Sequence, residues 1–289
     1  MSNRQLAPRV SAASSGSESM TATKTVERHY TTGLTRENIE RALREAGKNP
    51  RRLSPADLVP LEDFHSLGRI ATVQLIQLAG VSSADRVLDA GTGIGGTARL
   101  LAAQAGCHVT GVDLTAEYCE TAEWLNTAVG LSSRIDVRRA DVTELPFADG
   151  TFDVVISQHV QMNIADKARL YAEARRVLTP GGRLALWDVT AGQVQPITFP
   201  VPWAADPRDS HRITPDELRE VTAGAGFAVT AWNDLTEAAA EAMRAFFAAP
   251  ANPLGLHVFV PDFAEKAANL VANADQNRIR LIQAVVIAQ

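Results

Sequence analysis

From Arg86 to the end of the chain, short apolar runs alternate with segments whose apolar residues recur at helical spacing. The predicted strands are Arg86–Ala90, Val109–Asp113, Ile135–Arg139, Phe152–Ser157, Leu184–Val189, Phe227–Trp232 and Ile279–Ala288. The predicted helices between the first five strands are Gly95–Ala105, Ala116–Ala128 and Lys167–Leu178. Thr179–Gly182 is predicted to be the turn into the fifth strand. Apolar strands joined through helices are typical of a parallel sheet with right-handed crossovers and helices on both faces, so the pattern predicts an α/β fold with a mostly parallel, seven-stranded sheet.

The chain before these strands has a helical pattern instead. Thr35 is predicted to be the N-cap of a helix that reaches Ala46, and Pro55 begins a short helical turn. A longer helix is predicted over Glu62–Ala79, where apolar residues form one face. Residues 1 to about 24 are rich in Ser, Ala and Thr, which predicts a disordered tail, with Met20 as an internal start.

This pattern predicts a helical cap at residues 25–80 and one Rossmann-like domain at residues 81–289. Two segments interrupt the sheet and are expected to be cap insertions. The first, near 190–212, is a Pro-rich stretch with embedded aromatic residues, too long for an ordinary loop. The second, near 236–278, consists of two helical segments around a Pro-rich break.

Composition limits the functions that this chain could have. Hydrophobic residues make up 46% of its 289 residues and the net charge is −5, so the overall charge does not favour a nucleic-acid partner. The chain has no apolar run long enough to cross a bilayer and no apolar core of a signal peptide near its first residue. Cys107 and Cys119 match no zinc or redox motif, and no metal site is expected. A cytoplasmic location is therefore expected.

The run Val87–Gly96 carries the strongest local signal in the chain. An apolar strand ends in an acid and is followed by a glycine-rich turn that leads into a helix. Glycines let the backbone approach a ligand closely, and the helix N-terminus offers free N–H groups. Gly91, Gly93 and Gly96 also match G-x-G-x-x-G, so NAD and S-adenosylmethionine both remain candidates for this loop.

Acidic residues follow three consecutive predicted strands. Asp89, Asp113 and Asp141 should lie together at the carboxyl edge of the sheet, where such sheets bind ligands. Asp113 is placed to accept hydrogen bonds from two ribose hydroxyls, and Asp141 from an adenine amino group, whereas Asp89 either orients the loop or faces a methionine amine. A nicotinamide enzyme also needs a proton donor. The nearest match to a Tyr-x-x-x-Lys pair is Tyr171 with Arg175, and arginine does not deprotonate at neutral pH.

Several motifs occur in a fixed order along the chain. They are Val87–Gly96, Val112-Asp113-Leu114, Asp141-Val142, Leu145-Pro146-Phe147, Phe152-Asp153 and Arg176-Val177-Leu178-Thr179-Pro180-Gly181-Gly182. In this order they resemble the motifs of class I S-adenosylmethionine-dependent methyltransferases over roughly residues 60 to 235. The resemblance includes the ubiquinone and menaquinone biosynthesis methyltransferases.

Two further segments are more similar to the glycine, sarcosine and dimethylglycine N-methyltransferases. Phe64–Arg69 resembles their Phe-His-x-Gly-Gly segment, and Ser157–Lys167 resembles the segment that follows their fourth strand. Leu67 stands where that pattern has its first glycine. His159 and Asn163 stand where the related phosphoethanolamine methyltransferases have an acid and a histidine.

The resemblance implies S-adenosylmethionine as cofactor and a set of residues around it. The set is Tyr30, His65, Asp89, Gly91, Thr92, Gly93, Asp113, Leu114, Asp141, Val142 and Gln158. Aromatic faces attract a sulfonium group, and Tyr30, Phe64 and Trp203 are candidates for that contact or for simple packing. Arg208 and Arg212 either hold an acceptor carboxylate or are solvated loop charges.

His159 is the candidate catalytic residue because it follows the fourth strand, where the acceptor should lie. It is either a base that takes a proton from the acceptor or a structural histidine. The function expected is methyl transfer to a small molecule, with an amine before the carbon or oxygen of a quinone-like compound. A nicotinamide oxidoreductase and a protein that binds the cofactor without turnover remain alternatives, and the oligomeric state stays open.

Overall fold

A computed structural model describes residues 25–248 and 252–289, so the tail predicted for residues 1–24, with Met20, lies outside the described residues. A seven-stranded sheet has the order β3-β2-β1-β4-β5-β7-β6. Its strands are β1 Arg86–Ala90, β2 His108–Asp113, β3 Ile135–Arg139, β4 Phe152–Gln158, β5 Leu178–Ala191, β6 Phe227–Asp234 and β7 Ile279–Ala288. The first five strands pair in parallel, and β7 is antiparallel to both of its neighbours. The predicted mostly parallel, seven-stranded sheet is therefore confirmed.

Helices connect and cover the strands. They are α1 (residues 25–30), α2 Thr35–Glu45, α3 Pro55–Leu58, α4 Gly68–Leu78, α5 Gly96–Gln104, α6 Ala116–Ala128, α7 Lys167–Val177, α8 Pro215–Gly224, α9 Thr236–Ala248 and α10 Phe263–Asp275. Short 3₁₀ turns lie at Val59–Leu61, Gln161–Asn163, Pro207–Asp209 and Leu256–Val258.

The sheet is buried on both faces because alternate residues of its central strands point to opposite sides. Val87 of β1 and Ile156 of β4 lie in one core, which α4, α5, α9 and α10 complete. Leu88 and Val155, their direct neighbours in sequence, lie in the other core with α7 and α8. This two-sided burial explains why the strands read as continuous apolar runs.

A third core joins the N-terminal helices to the carboxyl edge of the sheet. Ile39 and Leu43 of α2 pack there with Leu61, and all three are fully buried. Their partners include Ile94 of the glycine-rich loop and Tyr118 of α6. The N-terminal segment is therefore fastened directly above the loop that follows β1.

The predicted helix over Glu62–Ala79 is too long at its start, because α4 begins at Gly68. Asp63 and Leu67 both have a φ of 62°, in the left-handed region that an α-helix does not contain. The carboxylate of Asp63 accepts a hydrogen bond from Nε of Arg69 at 2.7 Å, so side-chain contacts shape this segment. Leu67 thus adopts a glycine-like backbone at the position where the resembled pattern has glycine.

The predicted N-cap role of Thr35 is wrong, because Thr35 is the first residue of α2 and makes no side-chain cap. The carboxylate of Glu117, on α6, takes the place of a local cap. It accepts hydrogen bonds from the backbone N–H groups of Thr32, Gly33 and Thr35 at 2.9, 2.9 and 2.6 Å. A carboxylate far away in sequence satisfies donors that a local cap would otherwise satisfy.

The turn predicted at Thr179–Gly182 lies inside β5 as an irregularity. The pairing of β4 with β5 shifts between Phe152, opposite Leu178, and Val154, opposite Arg183. The extra residues bulge out of the ladder, so the strand continues where a separate turn was predicted.

Candidate active site

The loop after β1 needs glycine at two positions for different reasons. Gly91 and Gly93 have φ values of 85° and 55°, in the region that side chains disfavour. A Cβ at Gly91 would lie 2.3 Å from Cγ2 of Val160, whereas a Cβ at Gly93 would meet nothing within 4 Å. Close packing against the segment after β4 therefore constrains Gly91, and backbone geometry alone constrains Gly93.

We expect Gly91→Ala to lower the free energy of unfolding by roughly 2–4 kcal/mol, because left-handed strain adds to the overlap with Val160. Gly93→Ala carries the strain without the overlap and should cost about 1 kcal/mol. Urea denaturation of the two variants beside the unmodified chain measures the difference. Equal losses in the two variants would show that the contact with Val160 is not what requires glycine.

Gly96 and Gly111 make room for protein side chains. A Cβ at Gly96 would lie 2.9 Å from Cβ of Glu62, and one at Gly111 would lie 2.8 Å from Oγ1 of Thr92. The third glycine of the G-x-G-x-x-G match is therefore needed where the segment before α4 crosses the start of α5. Packing against Glu62 therefore explains the glycine at position 96, so the G-x-G-x-x-G pattern does not require a bound dinucleotide.

Asp89, Asp113 and Asp141 lie at the carboxyl ends of β1, β2 and β3, along one edge of the sheet as predicted. Each carboxylate accepts hydrogen bonds from nearby loop residues. Asp89 accepts from Oγ1 of Thr92 at 2.6 Å. Asp113 accepts from the N–H groups of Gly93 and Thr115, both at 2.9 Å. Asp141 accepts from the N–H of the next residue but one at 2.8 Å. The loops therefore hold all three carboxylates in fixed orientations.

Burial shifts the titration of two of these acids. It raises the pKa of Asp89 to about 6, although the hydrogen bond from Thr92 opposes the shift. Burial also raises the pKa of Asp113, against the hydrogen bonds from Thr115 and Gly93. Both carboxylates are costly to keep desolvated, which favours a ligand that donates hydrogen bonds or carries positive charge.

A cavity of about 770 Å³ opens along this edge of the sheet. Every residue that the sequence predicted around the cofactor lines it. They are Tyr30, His65, Asp89, Gly91, Thr92, Gly93, Asp113, Leu114, Asp141, Val142 and Gln158, with His159 beside them. Phe64 and Trp203 also line the cavity. Arg208 and Arg212 are not among the lining residues, and Arg208 pairs with Asp206 with 86% of its side chain exposed.

Neighbouring side chains hold Gln158, at the end of β4, in place. Its Nε2 donates to Oγ1 of Thr97 at 2.8 Å, and its Oε1 accepts from Oγ1 of Thr72 at 3.4 Å. Because these bonds occupy its amide, the side chain of Gln158 is held between α4 and α5.

His159 has a left-handed backbone conformation and a buried ring nitrogen without a hydrogen-bond partner. Its φ is 54°, and its N–H donates to the carbonyl of Trp187 at 2.7 Å. The ring centroid lies 5.8 Å from that of His65 and 5.9 Å from that of Trp187, and Nε2 is buried without a hydrogen-bond partner. Burial, together with His65, lowers the pKa of His159 well below its usual range. The imidazole is therefore neutral at pH 7.

Asp188 and Lys167 hold the segment that carries His159, and the sequence reasoning missed both. Asp188 is fully buried, and its Oδ1 accepts from the N–H groups of Val160 and Gln161 at 2.9 and 3.2 Å. Nζ of Lys167 donates to the carbonyl oxygens of Gln161 and His211, at 2.5 and 2.6 Å. Asp188 lies near the carboxyl end of β5, as Asp89 and Asp113 lie at the ends of β1 and β2. This repeated position of an acid is the sequence feature that could have identified Asp188.

The N-terminal arm closes one side of the cavity. The hydroxyl of Tyr30 lies 3.2 Å from Nδ2 of Asn163, and Nε2 of His29 lies 3.0 Å from the carbonyl oxygen of Pro202. Arg139 anchors the arm through Glu27 at 2.7 Å. These contacts join α1 to the segment after β4 and to the Pro-rich stretch.

Comparison with known proteins identifies the domain. Residues 88–186 match the family model described as "Methyltransferase domain". The chain is 34% identical over 135 residues to Methyltransferase GfsG of Streptomyces halstedii, covering 47% of this chain and 48% of that protein. It is 34% identical over 132 residues to a glycine/sarcosine/dimethylglycine N-methyltransferase of Actinopolyspora halophila, covering 46% and 23%. The matches thus span about half or less of these relatives.

The fold also matches a solved structure over nearly its whole length. Geranyl diphosphate C-methyltransferase from Streptomyces coelicolor A3(2), in complex with Mg²⁺, geranyl-S-thiolodiphosphate and S-adenosyl-L-homocysteine, aligns with a TM-score of 0.69. The alignment covers 93% of this chain and 98% of that one at 16% identity, so it concerns the fold alone. Residues 88–186 therefore match a methyltransferase domain, and the fold of the chain resembles that of class I S-adenosylmethionine-dependent methyltransferases. The predicted resemblance is confirmed.

The described residues contain neither a metal-binding cluster nor a membrane-spanning helix. Among residues 25–248 and 252–289, no group of three or more His, Cys, Asp or Glu side chains could hold a metal ion. Within the same ranges no helix is long and apolar enough to cross a membrane.

Proposed function

We propose that this chain transfers a methyl group from S-adenosylmethionine to a small-molecule acceptor. The observation that carries the proposal is the row of fixed carboxylates at Asp89, Asp113 and Asp141 beside the glycine-rich loop, all along one cavity. The match of residues 88–186 to a methyltransferase domain supports it.

The lining residues fit this cofactor part by part. Asp113, whose buried carboxylate already accepts two N–H bonds, has lone pairs left for the ribose hydroxyls. Asp141 follows the outermost parallel strand, where it would accept from the adenine amino group. Gly93, at which a Cβ would meet nothing within 4 Å, leaves room for the methionine part, and Asp89 would face its amine. When bound, the cofactor supplies a methyl group that its sulfonium has already activated.

Because the methyl group is already activated, the protein mainly has to orient the acceptor and exclude water. Tyr30, Phe64 and Trp203 present rings to the cavity, and aromatic faces stabilise a positive charge in a site without water. Tyr30 would close over the cofactor, because Asn163 contacts its hydroxyl from the other side of the cavity. We further propose that residues 25–80 and the segments near 190–212 and 236–278 form the cap of the site.

We propose His159 as the group that takes a proton from the acceptor. His159→Asn should then slow turnover by roughly 100-fold or more and leave the Kd of the cofactor nearly unchanged. Asparagine tolerates a positive φ, so the backbone strain at this position stays low. Because its pKa is lowered, His159 stays neutral at pH 6.5 and should lose its role only on further acidification.

Single-turnover rates and calorimetry together test this role for His159. His108→Ala provides a control, because the side chain of His108 is 54% exposed on β2, with Nε2 3.7 Å from a carboxylate oxygen of Asp136. Parallel losses of turnover and cofactor affinity in His159→Asn would favour a structural histidine instead.

We place an amine first among acceptors and the carbon or oxygen of a quinone-like compound second. The similarity to a glycine/sarcosine/dimethylglycine N-methyltransferase supports the first, and the likeness in fold to a C-methyltransferase keeps the second open. The net charge of −5 favours a small molecule over a nucleic acid. Two free, buried cysteines favour a cytoplasmic location.

An acceptor screen scored by release of S-adenosylhomocysteine tests the activity. Thermal shifts with S-adenosylmethionine and with NAD test the cofactor. Release of S-adenosylhomocysteine with any small acceptor supports the proposal. A thermal shift with NAD alone would favour an oxidoreductase, and cofactor binding without turnover across the whole screen would favour a binding protein.

A further inference from the structure

The cavity carries a strong imbalance of charge. Its acidic lining residues are Asp63, Asp89, Asp113, Asp141, Glu144 and Asp166. Arg169 is the one Lys or Arg among the lining residues that the structure describes. A cationic cofactor is compatible with such walls, because opposite charges attract strongly in a site of low dielectric constant. An anion would be repelled by the same walls.

The single guanidinium of the cavity contacts the loop after β3. Nε of Arg169 donates to the carbonyl oxygen of Thr143 at 2.7 Å, and Nη2 lies 3.5 Å from a carboxylate oxygen of Glu144. Both partners follow Asp141 on the loop after β3, where the adenine would bind. Arg169 is therefore already paired and belongs to the adenine end.

The other end of the cavity, beside the end of β4, is apolar and aromatic. We call this part the acceptor chamber. We assign Phe64, His65, His159, Met162 and Trp203 to its walls, because the rings of His65 and His159 lie 5.8 Å apart and Met162 and Trp203 pack in the same core. Of its two imidazoles, that of His159 is neutral because burial lowers its pKa.

The other imidazole and the nearby acid are already paired. Nε2 of His65 lies 3.7 Å from Oδ1 of Asp63 and 3.1 Å from Oγ1 of Thr72. Oδ2 of Asp63 in turn accepts from Nε of Arg69 at 2.7 Å. No cationic side chain of the chamber is therefore left to form an ion pair with a carboxylate or phosphate, since the unpartnered Nε2 of His159 belongs to a neutral imidazole.

The two arginines that follow Trp203 in the sequence do not supply the missing charge. Arg208 is exposed and bidentate with Asp206, at 2.8 and 3.2 Å. Nε of Arg212 donates to Oγ of Ser210 at 3.1 Å, and Oγ of Ser210 also accepts from Nε1 of Trp203 at 2.8 Å. Arg212 therefore lies behind the wall that Trp203 forms.

We propose that the acceptor is an uncharged, largely apolar molecule without a carboxylate or phosphate group, whose body packs against Phe64, Met162 and Trp203. This inference rests on the proposed function and specifies its substrate class. Burying an unpaired anion beside acidic walls costs more free energy than apolar contacts return. An uncharged body gains the contacts without that cost. An amine acceptor fits only if it lacks an attached acid.

We call the proposal that the acceptor chamber disfavours a negatively charged group the charge rule. A matched pair of probes tests it directly. Indole-3-propionamide and indole-3-propionate have the same aromatic ring system and chain. The first ends in a neutral amide and the second in a carboxylate. Calorimetry on the full chain loaded with S-adenosylhomocysteine should give a Kd for the amide at least about tenfold lower than for the carboxylate. Equal affinities, tighter binding of the carboxylate, or failure of the amide to bind would overturn the proposal.

A charge-inserting variant provides a second test. Phe64 is only partly buried, so Phe64→Lys should fold and place an ammonium in the acceptor chamber. It should raise the relative affinity for the carboxylate probe by about tenfold, while Phe64→Leu keeps the preference for the amide. An unchanged preference in Phe64→Lys would contradict the charge rule.

Failure of the charge rule and failure of the proposed function give different results. If S-adenosylhomocysteine does not bind in the titration that precedes the probes, the proposed function fails. If it binds and the probe preference is reversed, only the substrate class fails. In the acceptor screen, faster turnover of sarcosine than of its uncharged amide would also contradict the class.

Discussion

Asp113→Ala is expected to weaken binding of S-adenosylmethionine by roughly 100-fold or more, because it removes the carboxylate that we propose accepts two ribose hydrogen bonds, each worth about 1.5–3 kcal/mol to a charged group. It also removes the oxygens that accept from Gly93 and Thr115 at 2.9 Å, so the loop after β1 loses its link to β2. Calorimetric titration with cofactor measures the change. Circular dichroism before the titration shows whether the variant is folded.

Asp136→Ala is the matched control, since this acid lies on the neighbouring strand with 60% of its side chain exposed. It should bind the cofactor as the unmodified chain does. Affinity should also fall on acidification at a higher pH than for an exposed aspartate, because burial raises the pKa of Asp113. Full affinity in Asp113→Ala would remove this acid from the cofactor site.

The second large effect is expected on stability. Arg99→Met should lower the free energy of unfolding by about 3–5 kcal/mol, because it breaks a buried ion pair. Arg99 is 1% exposed, and it donates to Oε1 of Glu62 at 2.6 Å and to Oδ1 of Asn126 at 2.9 Å. The substitution would leave Asn126 Oδ1 without its donor and Glu62 dependent on Arg69 alone. Urea denaturation measures the loss.

Arg244→Met makes the same substitution in an exposed ion pair of the same length. Arg244 lies 2.6 Å from Asp275, and the two side chains are 49% and 47% exposed. Its cost should stay below about 1 kcal/mol, because water competes for both charges. Removing both charges in Glu62→Leu with Arg99→Met should recover part of the loss. Equal costs for the two arginine substitutions would show that burial of the pair does not matter.

The strands and the acids after them could be predicted because their signals are local. The first strand is Arg86–Ala90 both as predicted and in the structure, and the third and seventh also agree at both ends. A parallel sheet with right-handed crossovers then brings the carboxyl ends of neighbouring strands to one edge. The proximity of Asp89, Asp113 and Asp141 can therefore be predicted without any knowledge of side-chain packing.

The contacts that close the site could not be predicted, because their partners lie far apart in the sequence. Glu117 holds the backbone at residues 32–35, and Val160 fills the space that Gly91 leaves. Asp188 anchors the segment that carries His159. No periodicity links such positions. The hydrogen bond between Arg69 and Asp63 is likewise a side-chain contact that the helical pattern does not reveal, and the segment that contains Asp63 is not helical although the pattern predicted a helix there.

The sequence by itself determined the α/β sheet, the glycine-rich loop and the set of residues that line the cavity, since each depends on neighbours within a few positions or on a fixed order of strands. Only the tertiary structure decided the character of the acceptor chamber. Its charge depends on which cations are already used, and Arg69 and Arg99 are bound to Asp63 and Glu62 in the protein interior. Pairing between distant side chains cannot be read from composition, because a net charge of −5 is compatible with many distributions of charge over the cavity walls.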